Sequence, residues 1–137
     1  MKKTVPITVI MMFMLLGITL MAFAADDPSI KGERREGIQK AMQGHIKENA
    51  VHGAYVIYDA ATDNLKRLQF KKLHSGIVKK ADFYVSCVDF TDSAGTLHEL
   101  DLLVAEEDGG FREVESLVHK IGTEKRKYHL EELGEHR

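Results

Sequence analysis

A single cysteine, Cys87, stands among the 137 residues. It excludes an internal disulfide, a CxxCH haem-attachment site and any CxxC redox or zinc pair. Stability has to come from packing. The short catalytic signatures are missing too: there is no GxSxG, no Walker loop and no GxGxxG. Ser75 and Ser93 sit in turn-like segments with no evident base beside them, so a hydrolase is not expected. Positive charge is not in excess, since the formal charge is −2. The short run Lys125-Arg126-Lys127 is flanked by Glu124 and Glu131, and nothing in the chain resembles a nucleic-acid binder. The seven histidines are dispersed without an HxH or HxxxH spacing. On that ground no metal ligands and no cofactor are expected. His45 and His52 come nearest to each other, but Gly53 puts them across a helix end. Repeats, low-complexity tracts and internal linkers are also missing.

What is present begins with a leader. Lys2 and Lys3 precede an apolar run from Ile7 to about Phe23, and Ala22-Phe23-Ala24 supplies the small residues of a cleavage site. This is the pattern of a secretory signal peptide over 1–24, removed on export, and its compact form points to the bacterial periplasm. No cysteine follows the site, so a lipid anchor is not expected. The membrane matters only during export. Removing the leader, which carries two lysines and no acid, takes the formal charge from −2 to −4. The remaining 25–130 is long enough for one domain with one core, and 131–137 reads as a charged tail.

Apolar residues at helical spacing predict a helix over 28–50, with Asp27 as its cap and Pro28 at its first position. Gly37, Ala41 and Gly44 give it a stripe of small residues, as a helix lying close on a sheet would have. Beyond Gly53 the period changes to two. Six strands are predicted: 54–59, 64–73, 82–91, 96–105, 111–121 and a short 126–130. The connections are short, so neighbours are antiparallel. The expected fold class is α+β, one N-terminal helix packed on a five- or six-stranded antiparallel meander.

Register can be argued for the central hairpin. Pairing Thr91 with Thr96 across a four-residue loop puts Phe83, Val85 and Cys87 on one face with Leu100, Leu102 and Val104. Phe70, Leu68, Val114 and Val118 extend that face, and the helix is expected to cover it. Each such side chain contributes about 1.5–3 kcal/mol when buried. The same register sets Asp89 opposite His98 at the end of the apolar layer, and Asp101 opposite Glu115 on the other face. Like charges facing each other are unfavourable, which calls for a cation, a basic partner or a different register there.

One helix followed by a curved antiparallel meander resembles the cystatin-like group of folds, which includes the nuclear transport factor 2-like and SnoaL-like families. The stretch Asp82-Phe83-Tyr84-Val85-Ser86-Cys87-Val88-Asp89-Phe90, with Leu100-Asp101-Leu102-Leu103-Val104 after it, is also similar to small secreted bacterial proteins of this layout. The resemblance implies a fold. It implies no protease inhibition, because the inhibitory Gln-x-Val-x-Gly loop is missing. A single helix, where the nuclear transport factor 2-like enzymes have several around a cavity, favours a binder over an enzyme.

The candidate binding residues are Asp89, His98, Tyr84, Asp101 and Phe90. Asp89 with His98 is the best pair, since a carboxylate can orient an imidazole for acid–base work or metal binding. Tyr84 and Phe90, with Leu97 and Leu103, lie among the acids Glu99, Asp101, Glu113 and Glu115, an apolar centre with a charged rim. Cys87 reads as a small buried residue and not as a nucleophile. The expected function is a non-enzymatic exported binding or interaction module. Its partner would be a protein or small ligand, held on the outer sheet face or in the mouth between helix and sheet, and a homodimer through the sheet face is allowed. The rivals are a small Asp/His acid–base enzyme with its pocket at Tyr84, Asp89, His98 or Asp101, and a metal or haem carrier.

Overall fold

Ile38, Met42 and Ile46 recur one turn apart and are the buried residues of the helix α1 (Gly32–Glu48). The computed structural model describes residues 25–132. The expected leader over 1–24 and most of the expected tail lie outside the described residues. After α1 come eight strands: β1 (Ala50–Val51), β2 (Ala54–Asp59), β3 (Asn64–Leu73), β4 (Val78–Lys80), β5 (Phe83–Thr91), β6 (Leu97–Glu107), β7 (Gly110–Ile121) and β8 (Glu124–Lys125). A 3-10 turn, Leu130–Glu132, ends the described chain. All neighbouring strands are antiparallel, in the order β1-β2-β3-β5-β6-β7-β8, with β4 beside β3 on the same edge of β5. The α+β class is as expected, and the strands over 54–59 and 64–73 have the predicted bounds.

The helix starts four residues later than expected. Asp27 spends its carboxylate on a separate turn, accepting from the Ser29 amide (2.9 Å) and hydroxyl (2.7 Å), while Lys31 begins α1 without a side-chain cap. The strands missed by the sequence reading, β1, β4 and β8, are two or three residues long, too short for a period-two signal. The stretch 126–130 is not a strand. It leaves β8 as an extended strap that crosses back over the sheet.

The central register differs from the expected one by a single residue. The loop between β5 and β6 holds five residues, because the Asp92 carboxylate accepts from the amides of both Ala94 (2.9 Å) and Thr96 (3.0 Å). Thr91 therefore pairs with Leu97, Cys87 with Asp101, and Val88 with Leu100. The face under α1 is Tyr84, Val88 and Phe90 with Leu100, Leu102 and Val104, joined by Leu68 and Val118. The β6 members and Val118 were foreseen correctly and those on β5 were not; Val114, also expected there, is the extra residue of a bulge between Glu113 and Glu115 and lies outside the core cluster. Phe70 is largely exposed. Val85 and Cys87 lie on the opposite face, yet both are buried. Burying the outer face as well is what the strap achieves: Leu130 is buried there, against β5 and β6.

The sheet curls until its two ends meet. The Tyr55 hydroxyl on β2 lies 2.8 Å from the Ser116 hydroxyl on β7, and Arg126, just past β8, pairs with Asp59 at the end of β2 (2.8 Å). Helix α1 fills the concave side. Its Gly37 lies so close to the Phe111 ring that a Cβ there would stand 2.7 Å from it. The small-residue stripe thus has its physical cause at Gly37. At Gly44 a Cβ would meet nothing within 4 Å.

Candidate metal centre

Asp101 is completely buried, on the face of the sheet turned away from the helix. A carboxylate in that position must find charge and hydrogen bonds. It finds them on three neighbouring segments. Cys87, directly across on β5, donates its thiol to Asp101 Oδ1 (3.1 Å). On β7, His119 brings Nδ1 to 2.7 Å from the same oxygen. The strap brings His129 Nε2 to 3.4 Å from Oδ2 and donates the Leu130 amide to it (2.8 Å).

His119 reaches the site through a bulge. Glu99 pairs with Lys120 and Leu100 pairs with Val118, which leaves His119 as the extra residue of β7. A bulge turns a side chain out of the strict alternation and is frequent beside functional sites. Here it sends His119 to the outer face directly after Val118 has pointed into the core. The strap then clamps the bulge, since the Arg126 amide donates to the His119 carbonyl (2.6 Å).

One donor atom each from Cys87, Asp101, His119 and His129 lies within 4.8 Å of the other three. Tetrahedral zinc with nitrogen and oxygen ligands at 2.0–2.2 Å and sulfur at 2.3 Å sets its donors about 3.4 Å apart. A contraction of roughly an ångström at the widest edge converts one arrangement to the other. Two further observations fit an ion. The His119 Nδ1 is buried and meets Asp101 Oδ1 at 2.7 Å, an ion pair off the line of a good hydrogen bond; the buried Nδ1 of His98, outside the site, is also without an aligned partner. Its other nitrogen, Nε2, faces Glu99 Oε2 at 3.2 Å. A carboxylate behind a histidine is the usual means of fixing which ring nitrogen is offered to a metal. Glu131 stands next, 3.4 Å from Cys87 Sγ.

The electrostatics agree with the geometry. Burial drives the Cys87 thiol far up, and the Asp101 charge adds to it, so without a cation the sulfur keeps its proton. Burial also pushes the Asp101 carboxyl up, but His119, the thiol and the Leu130 amide outweigh it and leave the group below the ordinary carboxylate range. His119 shows the converse, with burial lowering it and Asp101 and Glu99 raising it above the usual imidazole value. The four donors span thiol, carboxylate and imidazole. That mixture suits zinc and its divalent transition-metal neighbours better than calcium or magnesium.

Of the five residues singled out from sequence, the structure brings only Asp101 here. Asp89 and His98 do not meet. Asp89 lies opposite Glu99 and pairs with His74 (2.8 Å), whereas His98 lies opposite Phe90 and pairs with Asp92 (3.0 Å). The one-residue longer loop separates them. Tyr84 and Phe90 face the core: the Tyr84 hydroxyl meets Arg34 and Glu106, and Phe90 stacks on Tyr55 with ring centroids 5.2 Å apart. Asp101 lies opposite Leu117, and Glu115 opposite Leu103, so the expected clash of acids does not arise. Cys87, His119 and His129 were missed because the ligands come from four separate segments. The available signal was a carboxylate in the apolar run Leu100-Asp101-Leu102-Leu103.

A second polar cluster bridges the sheet ends. His45 contacts Glu113 (3.0 Å) and Tyr55 (3.0 Å), and Ser116 contacts Tyr55 and Glu113 (2.8 Å each). It lines an open cavity of about 410 Å³ between β2, β7 and the end of α1. Every member of this ring has its partner inside the ring, which makes it a latch between helix, β2 and β7. Comparison of the chain with protein-family models, with curated proteins and with solved structures finds no match.

Proposed function

We propose that this protein is an exported module that binds one divalent transition-metal ion, of zinc-like preference, through Cys87, Asp101, His119 and His129. The observation that carries the reading is the convergence of those four donors, a thiol, a carboxylate and two imidazoles, about the fully buried Asp101. Four protein donors fill a tetrahedral shell, and a filled shell belongs to binding and not to catalysis. The reading therefore keeps the non-enzymatic binding module expected from sequence and gives it a ligand. The leader-like segment over 1–24 supports a periplasmic location, and the helix-on-meander layout supports a cystatin-like arrangement. In an oxidising compartment a lone thiol has no intramolecular disulfide partner, and metal ligation gives Cys87 a use there.

The test is a titration of the purified, chelator-stripped protein with Zn²⁺ by calorimetry, repeated with Co²⁺ in the spectrophotometer. One equivalent of zinc is expected. Cobalt should give visible bands of tetrahedral intensity and a near-ultraviolet sulfur-to-metal band that Cys87→Ser removes. Failure to take up zinc at stoichiometry, or a cobalt spectrum indifferent to Cys87→Ser, overturns the assignment.

A further inference from the structure

We propose that the strap after β8 is the gate of this site, so that the ion is exchangeable and passes to an acceptor by ligand substitution. The proposal rests on the metal-binding reading above. Three of the donors stand on adjacent strands of one sheet, fixed by the β5–β6 and β6–β7 ladders. The fourth, His129, stands on a segment outside every ladder, past the two-residue strand β8. The same segment roofs the site, because Leu130 covers Asp101 and donates its amide to it. An ion held by all four donors is thus enclosed, and it is released when one element lifts.

Among the described residues the attachments of that element lie at its two ends. Arg126 holds it at one end, through its amide to the His119 carbonyl and its guanidinium to Asp59. At the other end Leu130 is buried and donates its amide to Asp101, the His129 ring lies against that of His119, and Glu131 accepts from the Cys87 thiol. Between them Lys127 and Tyr128 are exposed. A segment tied at its two ends and outside every ladder opens at a cost below that of unfolding the sheet. Lifting it breaks the His129–metal bond and leaves the ion on Cys87, Asp101 and His119 with one open position. A thiolate or imidazole of an incoming acceptor then forms the replacing bond. No electron moves, and each further bond is exchanged in the same way.

The proposal is tested on the zinc-loaded protein with the chromophoric chelator 4-(2-pyridylazo)resorcinol as acceptor. Arg126→Gln, which loosens the strap without touching a donor, should still bind one equivalent and release it about tenfold faster, the change expected for losing one well-formed ion pair. Leu130→Ala loosens the other end and should accelerate release as well, so the proposal stays testable if either variant folds poorly. Trypsin supplies a measurement without substitution. Cleavage after Lys125, Arg126 and Lys127 should be fast in the metal-free protein and at least several-fold slower in the zinc-loaded one. Release at the wild-type rate from a folded variant, or equal cleavage with and without zinc, overturns the gate while leaving the metal site standing. Failure of the wild type to bind zinc overturns both.

Discussion

The two histidine–carboxylate clusters of this protein are built from similar parts and differ in one respect. At the sheet ends, His45, Tyr55, Glu113 and Ser116 close a ring in which each polar atom is answered by another. Under the strap, Cys87, Asp101, His119 and His129 crowd donor atoms of three chemistries within 4.8 Å of one another about a fully buried carboxylate. Burial acts upward on both carboxyls. At Glu113 it prevails and the group stays above its ordinary value. At Asp101 the donors and the positive partner prevail and the group falls below its own. A closed ring of mutual hydrogen bonds makes a latch, and a thiol, a carboxylate and two imidazoles converging on one buried point make a candidate metal site.

Substitution of Asp101 should have the largest effect. Asp101→Ala removes the partner of two imidazoles, a thiol and a backbone amide at a buried position. Breaking such a buried pair costs about 3–5 kcal/mol. Urea denaturation should show that loss, and zinc binding should vanish with it. Glu99→Gln comes next and sharpens the contrast. Glu99 touches His119 and not the proposed ion, so the fold should hold while zinc affinity falls about 10–100-fold, the usual result of losing the carboxylate behind a ligating histidine. An unchanged affinity would place Glu99 among the ordinary surface acids.

The latch should respond the other way. Tyr55→Phe removes the hydroxyl shared by His45 and Ser116 and should cost about 1–3 kcal/mol, with zinc affinity unaltered. Its acid has a pH signature as well. A carboxyl whose folded value is raised adds stability at acid pH, which is lost as the pH rises through that value. Glu113→Gln should therefore compare worst with the wild type at low pH and best at neutral pH. A deficit that grows towards neutrality would mean that the ring depends on the ionised form.

The same two regions explain what the sequence could tell. Helix α1, the long strands and the inward set Leu100, Leu102, Val104 and Val118 were legible because periodicity survives without knowledge of contacts. The metal cluster was not, for three separate reasons. His119 is aimed by a bulge, which breaks the alternation from which faces are read. Cys87 was assigned to the wrong face by one extra loop residue, itself fixed by the Asp92 side chain. His129 was expected on a strand and stands instead on a strap. Asp101 alone was marked in advance, and for a pairing with Glu115 that the structure does not contain.

The smallest prediction concerns the two glycines of the helix, and it contrasts contact with its lack inside one element. Gly37 faces Phe111 across a gap that a methyl group cannot enter. Gly37→Ala should therefore push the ring or the helix aside, at about 1–3 kcal/mol, the usual cost of overpacking. Gly44 meets nothing, and its α-helical setting asks for no special backbone freedom. Replacing glycine by alanine inside a helix gains up to about 1 kcal/mol, so Gly44→Ala should raise the urea midpoint slightly. Opposite signs would show that the stripe of small residues is held by one close approach at β7. Equal signs would mean that the helix does not rest on Phe111 at all.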